Sequence, residues 1–275
     1  MKPIAALERD EARALAGLLF DLDDTLLSHG TLTRAAYEAL WDLKDAGMRL
    51  VAVTGRPSGW GEVLARQWPV EGIVTENGAV HVWREGRGLA RWEACDEGER
   101  RARRIRLAQL AQRVKELVPE ARMADDVDAR RSDVTWDIGE QMCLPEDRVA
   151  LVTSEIARAG ARSTRSSVHL HATFDTADKA SGAVRFLCGR LGEDAGAAVA
   201  RYAFVGDSGN DAACFAAFRT TIGVANVRAS IDRMSVPPRF VTSAAMGEGF
   251  AEMARVVLEK RARSADDVKM DSRRR

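Results

Sequence analysis

Residues Gly17 to Leu27 read GLLFDLDDTLL, and the fold turns on how this stretch is read. Leu18, Leu19 and Phe20 make a short unbroken apolar run, the pattern of a central parallel strand covered on both faces. Asp21, Asp23 and Asp24 follow at once. Charges of one sign this close repel and raise one another's pKa unless something positive sits among them. In extended backbone, side chains two residues apart leave on the same side, so Asp21 and Asp23 point together.

Outward from that strand the chain alternates. Thr33 suits the cap of a helix running to about Ala46, with Gly47 as its stop. Met48–Val53 (MRLVAV) is a second buried strand that ends in Thr54-Gly55-Arg56. A helix from Trp60 to about Gln67 is broken by Pro69, and a third strand lies near Gly72–Thr75. This β-α-β-α-β order predicts an α/β fold, a doubly wound parallel sheet. The pattern then changes. Val80–Trp83 and Ala90–Trp92 flank a Gly-rich turn as an antiparallel hairpin. A charged helix from about Glu97 to Val118 follows, then a strand at Val134–Ile138, a helix from near Pro145, and a strand-like stretch at Thr164–Phe174. From Lys179 the first pattern returns, with a helix to about Leu191, a strand at Tyr202–Gly206, a helix, a strand near Thr221–Val224 and a last helix from about Gly249. The expected division is a core of residues 1–79 and 178–262, an inserted α+β module over 80–177, and a charged, disordered tail over 263–275.

Composition narrows the function. Lys plus Arg and Asp plus Glu balance at 41 each over 275 residues, so no global field draws nucleic acid or an anionic membrane. Cys95, Cys143, Cys188 and Cys214 lie far apart without zinc-ligand spacing and read as small buried residues. No apolar run spans a bilayer and the N-terminus lacks a signal-peptide core, so a cytoplasmic protein is expected.

In an open parallel sheet, ligands bind beyond the carboxyl ends of the strands. That edge collects Asp21 and Asp23, then Thr54 and Gly55 after the second strand, Lys179 at a helix start, and Asp207, Asn210 and Asp211 in GDSGND. Carboxylates, a hydroxyl and a lysine together suit a hard divalent cation and a phosphoryl group. Mg²⁺ takes one or two carboxylates and completes its shell with water and phosphate oxygens.

FDLDDTLL, VTGR, a lone Lys after an insert, and GDSGND, in that order, resemble the four motifs of the haloacid dehalogenase superfamily. The insert lies between Thr54 and Lys179 and follows Glu76-Asn77-Gly78-Ala79, a placement similar to the class IIB, Cof-type branch of sugar-phosphatase-like members. Many of those carry Gly after the motif lysine, where this chain has Ala180. The resemblance implies a Mg²⁺-dependent phosphatase for a small phosphorylated metabolite, a sugar phosphate before others. Asp21 would be the nucleophile that forms an aspartyl-phosphate and Asp23 the proton shuttle. The metal would take Asp21, the backbone carbonyl of Asp23, and Asp207, with Asp211 in support or orienting Lys179. Thr54, Gly55, Lys179 and Asn210 would hold the transferring group. A phosphomutase with the same chemistry and a non-catalytic phospho-acceptor stand as alternatives.

Within the insert, His169 and His171 share a strand face with Ser167 and Thr173, which either looks at substrate or is solvated. Arg130, Arg131, Asp133 and Asp137 read as surface charge or as binders of a sugar or second anion. Trp60, Trp68, Trp83, Trp92 and Trp136 read as packing residues.

Overall fold

The computed structural model describes residues 1–262; the charged tail expected to be disordered lies outside them. A nine-stranded sheet runs in the order β1 (Lys2–Pro3), β14 (Phe240–Val241), β13 (Thr220–Gly223), β12 (Tyr202–Gly206), β2 (Gly17–Phe20), β5 (Arg49–Val53), β6 (Gly72–Thr75), β7 (Val80–Glu85) and β8 (Gly88–Glu93). All neighbours are parallel except β6–β7 and β7–β8. From β2 the chain winds one way through β5 and β6, then returns on the other side through β12 and β13. The carboxyl end of β2 is therefore the switch point where such sheets bind ligands.

The strands alternate as parallel strands covered on both faces must. Leu18, Phe20, Leu50 and Ala52 join one apolar layer with α2 (Arg34–Asp45), α3 (Ser58–Gln67) and α9 (Met246–Arg261). Leu19, Val51, Val53 and Phe204 join the other with α6 (Lys179–Leu191), α7 (Ala195–Arg201) and α8 (Ala212–Ala217). The Thr33 hydroxyl caps α2 by accepting from the Ala36 N–H, as its position in the sequence suggests. β1, β14, the pair β3 (Leu27–Ser28) and β4 (Thr31–Leu32), α7 and α1 (Arg9–Ala14) carry no sequence signal strong enough to be read, each of those strands being two residues long.

A second unit holds a three-stranded antiparallel sheet in the order β10 (Arg162–Arg165), β11 (His169–Thr173), β9 (Asp133–Asp137). Leu170, Ala172 and Trp136 on one face pack with α4 (Glu97–Leu117) and α5 (Glu146–Arg158) into a separate apolar core. Thr164–Phe174 is thus two strands rather than one, turned at residues 166–168, where the Ser166 hydroxyl accepts from the Val168 and His169 N–H groups. The Val80–Glu93 hairpin differs from expectation too. It extends the large sheet through β6, because positive φ at Asn77 (52°) and Gly78 (105°) folds the chain straight back. At Gly78 a side chain would also strike the Asp178 carbonyl, so only glycine lets α6 approach this turn.

The two crossings between the units are tied by charge. Asp175 accepts from Arg100 and Arg103, and Glu93 accepts from Arg100 and Arg131. Of the cysteines only Cys214 is buried; Cys143 is exposed and Cys95 and Cys188 are half-buried, so the sequence reading holds for one of four. No helix among the described residues is long and apolar enough to cross a membrane.

Candidate active site

Asp21 follows the last residue of β2 and its N–H donates to the Val205 carbonyl of β12, which fixes it at the sheet's carboxyl edge. The next residues form a wide turn in which Asp24 takes φ 55°, and the Asp24 carbonyl accepts from the Asn226 amide. Asp24 therefore supports the loop. The Lys179 ammonium, fully buried at the start of α6, donates to Asp21 Oδ1 and to Asp211 Oδ1, both at 2.7 Å. Asp211 Oδ2 accepts from the N–H groups of Asp207 and Ser208, so this carboxylate braces both the lysine and the loop. Asp207 Oδ1 accepts from the Thr25 hydroxyl at 3.0 Å and its Oδ2 from the Asn226 amide at 3.0 Å.

Oxygens of Asp21, Asp207 and Asp211 lie within 4.8 Å of one another. One ammonium among three buried carboxylates leaves negative charge in excess. Burial pushes the Asp21 carboxyl up to about 7 against the pull of Lys179, and the Asp211 and Asp23 charges add to the rise. Asp207 is raised by burial and then by Asp21 and Asp211. For Lys179, burial disfavours the ammonium, but Asp21 and Asp211 outweigh it and hold the pKa above its usual value. An excess of buried, oxygen-only charge is chemistry that a hard divalent cation fits.

Thr54 and Gly55 follow β5, the strand paired with β2, at the same edge of the sheet as Asp21. The Thr54 hydroxyl is buried and accepts from the Arg56 N–H at 3.0 Å. Asn210, expected among the phosphate ligands, donates to the Asn77 side chain at 3.3 Å and lines a cleft of about 670 Å³. Across that cleft are Ile138, Leu144 and Ser163–Ser167 of the smaller unit.

The polar face of the three-stranded sheet is not solvated: Thr135, His169 and His171 are buried and turn toward the large sheet. His171 Nδ1 lies 2.9 Å from both Asp133 Oδ2 and Thr135 Oγ1, while a side chain at Gly55 would meet its Nε2 at 3.1 Å. Burial pulls the His171 pKa down to about 4 although Asp133 opposes it. Arg130, Asp133 and Asp137 are not surface charges. Arg130 is buried, pairs with Asp126 and Asp133 and donates to the Gly55 carbonyl; Asp137 accepts from backbone N–H groups of residues 139–142. Arg131 is half-buried on Glu93. The tryptophans do pack: Trp136 sits in the small unit's core and Trp60 lies under the Arg56 guanidinium.

Several residues of this site escaped sequence reading. Glu76, inside a quoted motif, is buried and accepts from the N–H groups of Ser58, Arg131 and Ser132. Asn226 had no signal, lying after a strand at a spacing that nothing local marks.

A family model described as haloacid dehalogenase-like hydrolase matches residues 18–90. A phosphoglycolate phosphatase of Pyrobaculum neutrophilum is 31% identical over 249 residues, 88% of this chain and 95% of that protein. The chain belongs to the haloacid dehalogenase-like hydrolases. Solved structures share the fold of this hydrolase. A protein of Thermoplasma acidophilum superposes with a TM-score of 0.67 at 19% identity, covering 89% of this chain and 98% of its own. The sucrose-phosphatase of Synechocystis sp. PCC6803, solved with sucrose and phosphate, gives 0.60 at 16% identity, covering 88% and 98%. By family and by its similarity to a named phosphatase along nearly its whole length, the hydrolase is a phosphatase.

Proposed function

We propose that this hydrolase cleaves the phosphomonoester of a small phosphorylated metabolite, a sugar phosphate before others, with Mg²⁺ and through an aspartyl-phosphate on Asp21. The observation that carries the reading is the cluster of Asp21, Asp207 and Asp211 around the buried Lys179 at the switch point of the sheet. Asp21 and Asp207, with the Asp23 backbone carbonyl, would hold the cation, and Asp211 would brace them. When bound, Mg²⁺ offsets the charge of the carboxylates and of the phosphoryl oxygens.

The protein's own groups then divide the work. Lys179 holds Asp21 Oδ1, which orients the carboxylate for in-line attack on phosphorus. As the Asp21 O–P bond forms, the ester P–O bond breaks and Asp23 gives its proton to the departing alkoxide. Water then attacks the phosphorus of the aspartyl-phosphate and gives a proton to Asp23 as the Asp21 O–P bond breaks, which restores the Asp21 carboxylate and frees phosphate. Thr54, the Gly55 backbone and Lys179 hold the transferring oxygens, so the rate comes from positioning and charge compensation. The unit of residues 94–177 acts as a cap, and the cleft beside Asn210, lined by serines on the cap side, takes the organic part of the substrate.

The test is phosphate release from a panel of sugar phosphates, phosphoglycolate, nucleotides and p-nitrophenyl phosphate, with Mg²⁺ or EDTA, for wild type and Asp21→Asn. Release that needs Mg²⁺ and vanishes in the variant is the expected result. Folded wild-type protein that releases nothing from any member would overturn the proposal.

A further inference from the structure

Asp23 is not free to turn. The Arg56 guanidinium donates through Nε to Asp23 Oδ1 at 3.0 Å and Oδ2 at 2.9 Å, and through Nη2 to Oδ1 at 2.8 Å. Arg56 is itself held from the far side by two cap carboxylates. Nη1 donates to Asp126 and Glu140, each at 3.3 Å, and Nη2 donates to Glu140. Behind them, His169 Nε2 lies 2.9 Å from Glu140, and Asp126 pairs with Arg130, which reaches the Gly55 carbonyl. The Arg56 side chain is 2% exposed and lies over Trp60, so its position is fixed by neighbours on every side.

We infer that Arg56 is the positioning residue for Asp23, and that the cap, through Glu140 and Asp126, completes the arrangement. The inference rests on the proton-shuttle role proposed above for Asp23. A planar fork with five donors can hold a carboxylate in one orientation and still offer donors to two others, which an ammonium cannot do. Because two of the three carboxylates on Arg56 belong to the cap, the hold on the proton shuttle is complete when the cap is down. Cap closure thus does more than exclude water: it sets the angle at which the leaving oxygen meets its acid. A small misplacement of a reacting group can cost roughly 100-fold in rate, so the coupling is large enough to measure.

The experiment compares kcat/KM for the best alkyl phosphate of the panel with kcat/KM for p-nitrophenyl phosphate on one sample. This quantity covers the steps up to departure of the leaving group and excludes the shared hydrolysis of the aspartyl-phosphate, and the ratio does not depend on how much protein is folded. An alkoxide needs the proton that Asp23 supplies, whereas nitrophenolate departs without it. Arg56→Lys, which keeps the charge and loses the fork, should lower the alkyl-to-aryl ratio by roughly 10–100-fold. Glu140→Gln, at a partly exposed position, should lower it in the same direction by roughly 5–10-fold. Asp23→Asn should lower it at least as far as Arg56→Lys. A ratio within twofold of wild type in both Arg56→Lys and Glu140→Gln, alongside a collapsed ratio in Asp23→Asn, overturns the role of Arg56 and leaves that of Asp23 standing. A higher KM for both substrates with the ratio unchanged would make Arg56 a binding group, which also overturns it. An unchanged ratio in Asp23→Asn removes the acid–base reading and this inference together.

Discussion

Withdrawing divalent cations and raising the pH should weaken the fold, because Asp21, Asp207 and Asp211 then share only Lys179. An Asp carboxyl ionises near 3.8 in the unfolded chain, whereas burial lifts that of Asp21 to about 7 in the folded one. A group whose pKa is raised on folding favours the fold while it is protonated. Its contribution is complete below about 4 and is lost as the pH passes through 7. The whole displacement corresponds to about 4 kcal/mol, of which about 3 kcal/mol falls between pH 5 and 8. In a chain of this size that is roughly 6–12 °C in melting temperature. His171 works the other way: its pKa is pulled from 6.5 to about 4 by burial, so its contribution is lost as the pH falls below 6.5. Comparing wild type with Asp21→Asn cancels that opposing slope. Melting curves in EDTA from pH 5 to 8 should show the variant gaining on wild type as the pH rises, and excess Mg²⁺ should remove the trend. A gap between the two proteins that is flat from pH 5 to 8 in EDTA would refute the reasoning, since the excess charge in the cluster would then have no energetic consequence.

Three further outcomes can be measured. Lys179→Met, which takes the ammonium from between Asp21 and Asp211, should cut kcat roughly 1,000-fold on every substrate, and a loss under tenfold would remove Lys179 from the phosphoryl site. Gly182→Ala would drive a methyl group into the Gly78 backbone and push the start of α6 away from the cluster; we expect a loss of about 2–3 kcal/mol, and a melting temperature within 2 °C of wild type would contradict the close approach. Trp136→Ala, at 1% exposure in the cap's own core, should cost about 3–5 kcal/mol there, read as faster amide exchange over residues 97–173 with the large sheet still protected; equal loosening of both units would show that they do not melt separately.

Where the sequence was readable, local chemistry and tertiary demand agreed. Leu18–Phe20 and the MRLVAV run are apolar because both faces of a central strand are covered, and their layers alternate residue by residue. Asp21, Lys179, Asp207 and Asp211 were legible because each sits at a strand end or helix start, and the structure brings all four together. The Val80–Glu93 hairpin was visible as a hairpin, but which sheet it joins depends on the turn at Asn77-Gly78, a matter of backbone angles. Arg130 and Asp133 look like surface charges in a string of letters; they are buried because they neutralise each other against Gly55. Arg56 stood in a quoted motif, yet its partners Asp126 and Glu140 are 70 and 84 residues away and no periodicity links them.

The charge pairs between the two units have a consequence for any movement of the proposed cap. Each unit keeps a complete apolar core, with no residue of the cap's cluster shared with the layers of the large sheet. What binds them is Glu93 of the large sheet with Arg100 and Arg131 of the cap, Arg56 with Asp126 and Glu140, and Arg130 on the Gly55 carbonyl, while Asp175 with Arg100 and Arg103 ties the two linkers on the cap side. A swing of the cap would therefore expose charged and polar groups without opening either apolar core, so it would lack the large positive heat-capacity change that newly wetted core hydrocarbon gives. It responds instead to ionic strength: added salt screens the partly exposed pairs and shortens the time the enclosure stays shut. Turnover limited by opening would then quicken with salt, while turnover limited by the chemical step would not.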